Sequence, residues 1–236
     1  MIKCKNIAIG YRQPLFEVEN LTLDKGQLIS LIGPNGSGKT TFLNTILGIT
    51  ELLSGELTID DEKVTELSRA EKVKTFSHVS SKFDGVNHLT VYELIAMGRS
   101  PYTNMLNQLR TIDKDRVSSI IEQLNLTDLQ NEFTTNISDG ERQIAMIGKA
   151  LAQETKVIVL DEPTAYLDYS NRLKVMKILK NVAHEHKKLI LLSTHNIELC
   201  LTFSDLILAV ETNSKKLKTY VPKTPQEKLI EEIFEK

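Results

Sequence analysis

The sequence predicts an α/β fold: a mostly parallel sheet, an N-terminal antiparallel β part and a helical stretch inserted between the halves of the core. Three observations carry that prediction. Gly-Pro-Asn-Gly-Ser-Gly-Lys-Thr at 33–40 separates a short apolar run at 28–32 from a helical pattern at 41–48. The run 156–160, apolar from Val157 onward, is bounded by charge, and 189–192 is continuously apolar, as in strands buried on both faces. Between the loop and the first of these runs, residues from about 82 to 153 read mostly helical, so strands and helices alternate only at the two ends of the chain.

The elements follow in order. Residues 7–9, 17–18 and 21–23 read as short strands, and Asp24-Lys25-Gly26 is a turn before the strand 28–32. After the loop and its helix, 54–60 reads as a turn and an edge strand. Residues 68–73 read as a short helix, with Ser68 as N-cap and Glu71 in the capping-box position. Helices are expected at 90–97, 113–124 and 126–132. In the next, Ile144, Ile147, Gly148 and Leu151 recur on one face from Asp139 onward. The helix 171–186 is amphipathic. A strand at 206–210 pairs with 217–221, and Thr224-Pro225-Gln226-Glu227 reads as a capping box opening a C-terminal helix. The expected division is a core of 1–80 and 154–236 with 82–153 inserted, all within one domain.

The loop at 33–40 fits G-x-x-x-x-G-K-[ST], the pattern that wraps nucleotide phosphates. Gly33, Gly36 and Gly38 let successive N–H groups converge on phosphate oxygens. Lys39 can reach the β- and γ-phosphates, Thr40 can hold Mg²⁺, and the following helix points its N-terminus at the anion. Val157-Ile158-Val159-Leu160-Asp161-Glu162 is an apolar strand ending in two carboxylates, where α/β sheets bind ligands. Asp161 is placed to bind Mg²⁺, and Glu162 to polarise a water for attack on a γ-phosphate. Ser138 reads as a helix N-cap with Asp139 and Glu141 in the first turn.

Composition narrows the classes. The chain has 236 residues, 41% apolar and 25% charged, with net charge −2. That is an ordinary globular balance, without the basic excess of a nucleic-acid surface, and no nucleic-acid partner is expected. The two cysteines, Cys4 and Cys200, have no metal-ligand spacing and read as reduced, partly buried thiols. The N-terminus has no apolar signal core, and no apolar run approaches the ~20 residues that span a bilayer. Any membrane role therefore requires docking on another chain.

The order and spacing of these motifs resemble the ATP-binding subunit of an ABC transporter, over essentially the whole chain. Residues 33–40 match its Walker A loop, Ser138-Asp139-Gly140-Glu141 its signature motif, and Asp161-Glu162 its Walker B and catalytic glutamate. Ala165-Tyr166-Leu167-Asp168 matches its D-loop, and Ser193-Thr194-His195-Asn196 its switch histidine. The resemblance implies a P-loop NTPase (RecA-like) core. It implies ATP held by Tyr11, Gly33, Asn35, Gly36, Ser37, Gly38, Lys39, Thr40 and Thr41, with Tyr11 stacked on adenine. Glu162, His195 and Lys39 would be catalytic, and Mg²⁺ would sit between Thr40 and Asp161. It implies a head-to-tail homodimer around two ATP molecules, in which Ser138, Gly140 and Glu141 of one copy contact the other's ATP, and it names Asp168 as the D-loop aspartate. Two departures stand out: Asp139 replaces a glycine, and Ser81 stands where the family's Mg²⁺-touching Gln is usual, ranking low as a metal ligand.

The segment from Leu89 to Tyr102 further resembles importers of ferric siderophores, haem and cobalamin. That implies transmembrane permease subunits, a substrate-binding protein acting through them, and a position at the cytoplasmic face of the membrane. A soluble, non-transport ABC ATPase is the alternative reading.

Overall fold

The computed structural model describes residues 1–104 and 108–233. Positions 105–107 of the expected helical stretch and 234–236 of the expected last helix lie outside the described residues. Among the described residues ten strands form one sheet, in the order β5-β4-β1-β2-β10-β9-β3-β8-β7-β6. Strands β1 (Ile2–Gly10), β2 (Pro14–Leu23), β4 (Ser54–Ile59) and β5 (Glu62–Lys63) make an antiparallel flank. Strands β9 (Leu206–Glu211), β3 (Leu28–Ile32), β8 (Leu189–Ser193), β7 (Val157–Leu160) and β6 (Phe76–Val79) run parallel. β10 (Lys216–Tyr220) pairs antiparallel with β9 and meets β2 at the single pair Lys216↔Glu17.

The continuous apolar runs have the predicted cause. In β7, Val157 and Val159 enter one core cluster while Ile158 and Leu160 enter another. In β8, Leu189 and Leu191 oppose Ile190 and Leu192 in the same way. A strand covered on both faces has no polar side to alternate with. On one face lies α1 (Lys39–Ile46), with Phe42, Leu43 and Ile46 buried between the parallel strands and the antiparallel flank. On the other lie α3 (Val91–Ala96), α4 (Thr111–Gln123), α5 (Asp139–Ala152) and α6 (Tyr169–Glu185). The short α2 (Arg69–Thr75), α7 (Ile197–Phe203) and α8 (Gln226–Ile233) complete the α-helices among the described residues.

Several elements differ from the sequence expectation. Residues 54–60 do not form the edge: β4 lies inside the flank, between β1 and the two-residue β5. Strand β6 was not expected, because Phe76-Ser77-His78-Val79 is short and alternates with polar groups; Ser77 is nevertheless buried, its hydroxyl accepting from Thr155. The expected helix at 126–132 is only the 3₁₀ turn Thr127–Leu129, entered from Asn125 at φ 55°. The first strands are longer than the sequence suggested, because pairing with β4 and with each other holds even their polar residues extended. Ahead of α8, the Thr224 hydroxyl donates to the Val221 carbonyl instead of closing the predicted box. The boxes at Ser68/Glu71, Thr90/Glu93 and Ser138/Glu141 all form.

The segment after α3 explains its own sequence. The backbone of Gly98 lies so close to α5 that a Cβ there would meet the Lys149 carbonyl at 2.2 Å. Arg99, 5% exposed, donates through Nε and Nη2 to Asp113 Oδ1 (3.0 and 2.9 Å) and through Nη1 to the Ala152 carbonyl and Glu154 Oε2 (2.8 and 2.6 Å). Its guanidinium lies 4.2 Å from the Tyr102 ring centroid, and the Tyr102 hydroxyl donates to the Gln153 carbonyl. One buried cation thus ties the 3₁₀ turn Met97–Tyr102 to the start of α4 and the end of α5. The Arg110 side chain and then Arg99 hold the Asp113 carboxyl down at about 2.

Both thiols are buried, Cys4 at 1% and Cys200 at 0% exposure, and burial pushes each up to about 12. A shift of that size lowers the thiolate fraction near neutral pH by about a thousandfold. The native protein is therefore expected to resist a thiol-specific reagent at pH 8, while the denatured chain titrates both cysteines. Prompt labelling of the native protein would contradict this burial.

Candidate active site

The ends of β3, β7 and β8 lie side by side because β8 pairs with both neighbours in parallel register, Leu31↔Ser193 and Leu160↔Leu192. That register brings three separated sequence motifs to one sheet edge. The 33–40 loop leaves β3 through Gly33 (φ 154°), Gly36 (φ 77°) and Gly38 (φ 100°). Gly38 is both left-handed and tightly packed: a Cβ there would meet Leu15 Cδ1 and a Phe16 ring carbon at 3.1 Å. A cavity of about 350 Å³ opens above the loop, lined by Leu15, Asn35, Gly36, Gly38, Lys39, Thr40, Thr41 and Glu162. Hollows of about 440 and 480 Å³ lie elsewhere, and neither is lined by any residue of this loop.

Lys39 is 7% exposed and folds its ammonium back onto the carbonyls of Gly33 (2.9 Å) and Pro34 (3.1 Å). Desolvation lowers its pKa, opposed by the nearby charges of Glu162 and Asp161. The Ser37 hydroxyl is buried and has no hydrogen-bond partner among the described residues. A buried hydroxyl without a partner beside a cationic, amide-rich loop suits a phosphate oxygen. Thr40 Oγ1 donates to Asp161 Oδ2 at 2.9 Å. Two hard oxygen donors at that spacing, one from the first turn of α1 and one from just past β7, are a donor set that fits Mg²⁺ alongside phosphate and water.

Glu162 sits in the left-handed region at φ 47°, unusual for a non-glycine residue. Its Oε2 lies 2.9 Å from His195 Nδ1. Its backbone N–H donates to Ser193 Oγ (2.9 Å), which in turn donates to Asp161 Oδ1 (2.5 Å). Lys39, Thr40, Asp161, Glu162 and His195 therefore converge on one spot.

The remaining predicted residues lie elsewhere. Tyr11 is on the β1–β2 bend, 69% exposed, and not among the cavity's lining; Leu15, which sequence reasoning missed, is. Ser81 lines a separate crevice with Asp139, Gln143 and Tyr166, whose lining includes neither Thr40 nor Asp161. Ser138 and Glu141 cap α5. Gly140 packs on Asn171, where a Cβ would meet the amide at 2.6 Å, and Asp168, the N-cap of α6, holds that amide and its backbone N–H. The Asp139 carboxylate turns to Arg142 (2.6 Å) on the flank of the helix, so the charge replacing the usual glycine is paired.

The model of the family described as ABC transporter matches residues 16–165. The chain belongs to the ABC transporter family. An uncharacterised ABC transporter ATP-binding protein of Methanocaldococcus jannaschii is 30% identical over the whole chain and 81% of its own length. The petrobactin import ATP-binding protein YclP of Bacillus subtilis is 31% identical over the whole chain and 93% of its own length. Among solved structures, the dimeric bacterial ABC transporter cassette MJ0796 aligns with TM-score 0.79 at 25% identity, over 95% of this chain and all of that one. As an ABC ATP-binding subunit, the chain binds and hydrolyses ATP to power transport. No helix among the described residues is long and apolar enough to cross a membrane.

Proposed function

We propose that this chain is the ATPase subunit of a membrane importer for iron-siderophore, haem or cobalamin-type chelates, working as a head-to-tail homodimer on the cytoplasmic face beneath transmembrane permease subunits served by a substrate-binding protein. The observation that carries the catalytic part is the convergence of Thr40 with Asp161 and of Glu162 with His195 over the phosphate loop. The importer part is supported by whole-length likeness to the petrobactin relative and by a 28% identical iron(3+)-hydroxamate import ATP-binding protein of Bacillus subtilis.

In this reading Lys39, Ser37 and the amides of 33–41 hold the ATP phosphates, with Tyr11 and Leu15 on the base side. Thr40 and Asp161 would hold Mg²⁺, which neutralises charge developing on the phosphates. Glu162 takes a proton from the attacking water, and His195 orients both Glu162 and the γ-phosphate. Ser138 and Gly140 of the second copy close over the nucleotide, with Asp168 at the seam. The helices between 82 and 153 act as the inserted subdomain that transmits closure to the permease.

Affinity purification of the tagged chain from detergent-solubilised membranes is expected to bring down a polytopic permease, with ATPase activity in the complex. Recovery of active ATPase with no membrane protein would overturn the importer assignment in favour of a soluble ABC ATPase.

A further inference from the structure

Ser193 is fully buried at the end of β8, and the motif it belongs to assigns a role to His195 but none to it. Its hydroxyl makes two bonds of opposite sense: it accepts from the Glu162 N–H at 2.9 Å and donates to Asp161 Oδ1 at 2.5 Å. Because the acceptor role is filled by an amide, the hydroxyl proton is committed to the carboxylate. Oδ1 of Asp161 is thereby pinned, leaving Oδ2 facing Thr40 Oγ1. The same hydroxyl accepts the backbone N–H of the left-handed turn at Glu162 (φ 47°) and ties it to β8, and that turn aims the carboxylate at His195. One side chain thus fixes both acidic residues, and the β7–β8 register puts it between them.

We propose that Ser193 is a positioning residue for ATP hydrolysis, orienting Asp161 toward the metal side and Glu162 toward the attacking water. The proposal rests on the roles given to Asp161 and Glu162 above. Ser193 touches neither the nucleotide nor water in this role. Its removal leaves Lys39 and the loop intact, so the loss falls on turnover and metal binding instead of ATP capture. Second-sphere partners of metal ligands are typically worth about 10–100-fold in affinity or activity.

The test uses the full chain with Ser193→Ala and Ser193→Thr. ATPase kinetics are measured alongside Mn²⁺ binding, read by electron paramagnetic resonance in the presence of a non-hydrolysable ATP analogue. Ser193→Ala is expected to lower kcat and weaken Mn²⁺ binding, each by roughly 10–100-fold, with the ATP KM within about threefold of the parent. Ser193→Thr, which keeps the hydroxyl, is expected to restore both. Parent-like kcat and Mn²⁺ affinity in Ser193→Ala overturn the proposal. So does a Thr variant that unfolds at the parent's temperature yet is as impaired as the Ala variant. If the added methyl destabilises the Thr variant, the Mn²⁺ affinity of Ser193→Ala decides. A Glu162→Gln control separates the two readings: turnover that survives that change refutes the role of Glu162, whereas loss there with an unchanged Ser193→Ala refutes only the role of Ser193.

Discussion

Glu162→Gln is expected to slow ATP turnover by about 10²–10⁴-fold, the usual worth of a general base, while ATP still binds. Gln keeps the length of the side chain and a hydrogen bond to His195, which now sits 2.9 Å from the carboxylate, but it cannot take up a proton. Lys39, Thr40 and Asp161 are untouched, so nucleotide capture persists. Bound ATP that is not consumed holds two copies together, and the variant should elute as a dimer in Mg²⁺-ATP and as a monomer without it. Turnover at the parent rate, or a monomer under both conditions, would refute the assignment of Glu162.

Arg99→Met should cost about 3–5 kcal/mol of stability, because removing one partner of a buried ion pair strands the other. Asp113 is fully buried and would keep only Arg110, whose own side chain is exposed. The Ala152 carbonyl, Glu154 and the face of Tyr102 lose their partner in the same step. For a chain of this size that corresponds to a drop of about 10 °C in the unfolding midpoint. The pH dependence has a definite sign. Asp113 titrates at about 2 when folded, below its ordinary range. Its contribution is therefore complete above about pH 4 and is lost as pH falls through 2, so the part of the gap that comes from Asp113 should shrink there, while the part from the Ala152 carbonyl and the Tyr102 ring remains. A midpoint within about 2 °C of the parent at pH 7 would show that the cluster is not what joins these helices.

The sequence carries the site's chemistry better than its walls. Strands β7 and β8 were legible because burial on both faces leaves an uninterrupted apolar run. The 33–40 loop was legible because its glycines have no substitute. Strand β6 was not, since Ser77 and His78 break the apolar pattern and only pairing with β7 makes the segment a strand. Leu15 lines the cavity because β2 returns beside β1 over the loop, and no local pattern announces that. Ser193 could be suspected only from its place two residues before His195; the register of two strands decides what it touches. Arg99 read as a mark of a subfamily, and its physical role became visible only when Asp113, Glu154 and Tyr102 came together from three segments.

The first turn of α5 has one further consequence. Glu141 already places a carboxylate at that helix N-terminus: its Oε2 accepts from the Ser138 backbone N–H (2.9 Å) and hydroxyl (2.7 Å), and those bonds hold its pKa low. The helix thus carries its own resident anion, a built-in rival for any phosphate that a second copy would deliver. For two copies to close as proposed, the incoming group must outcompete Glu141 for Ser138. A terminal phosphate carries more charge and more acceptor oxygens than this single carboxylate, which favours it in that competition. Closure of the pair would thus be opposed by a bond already made within each copy.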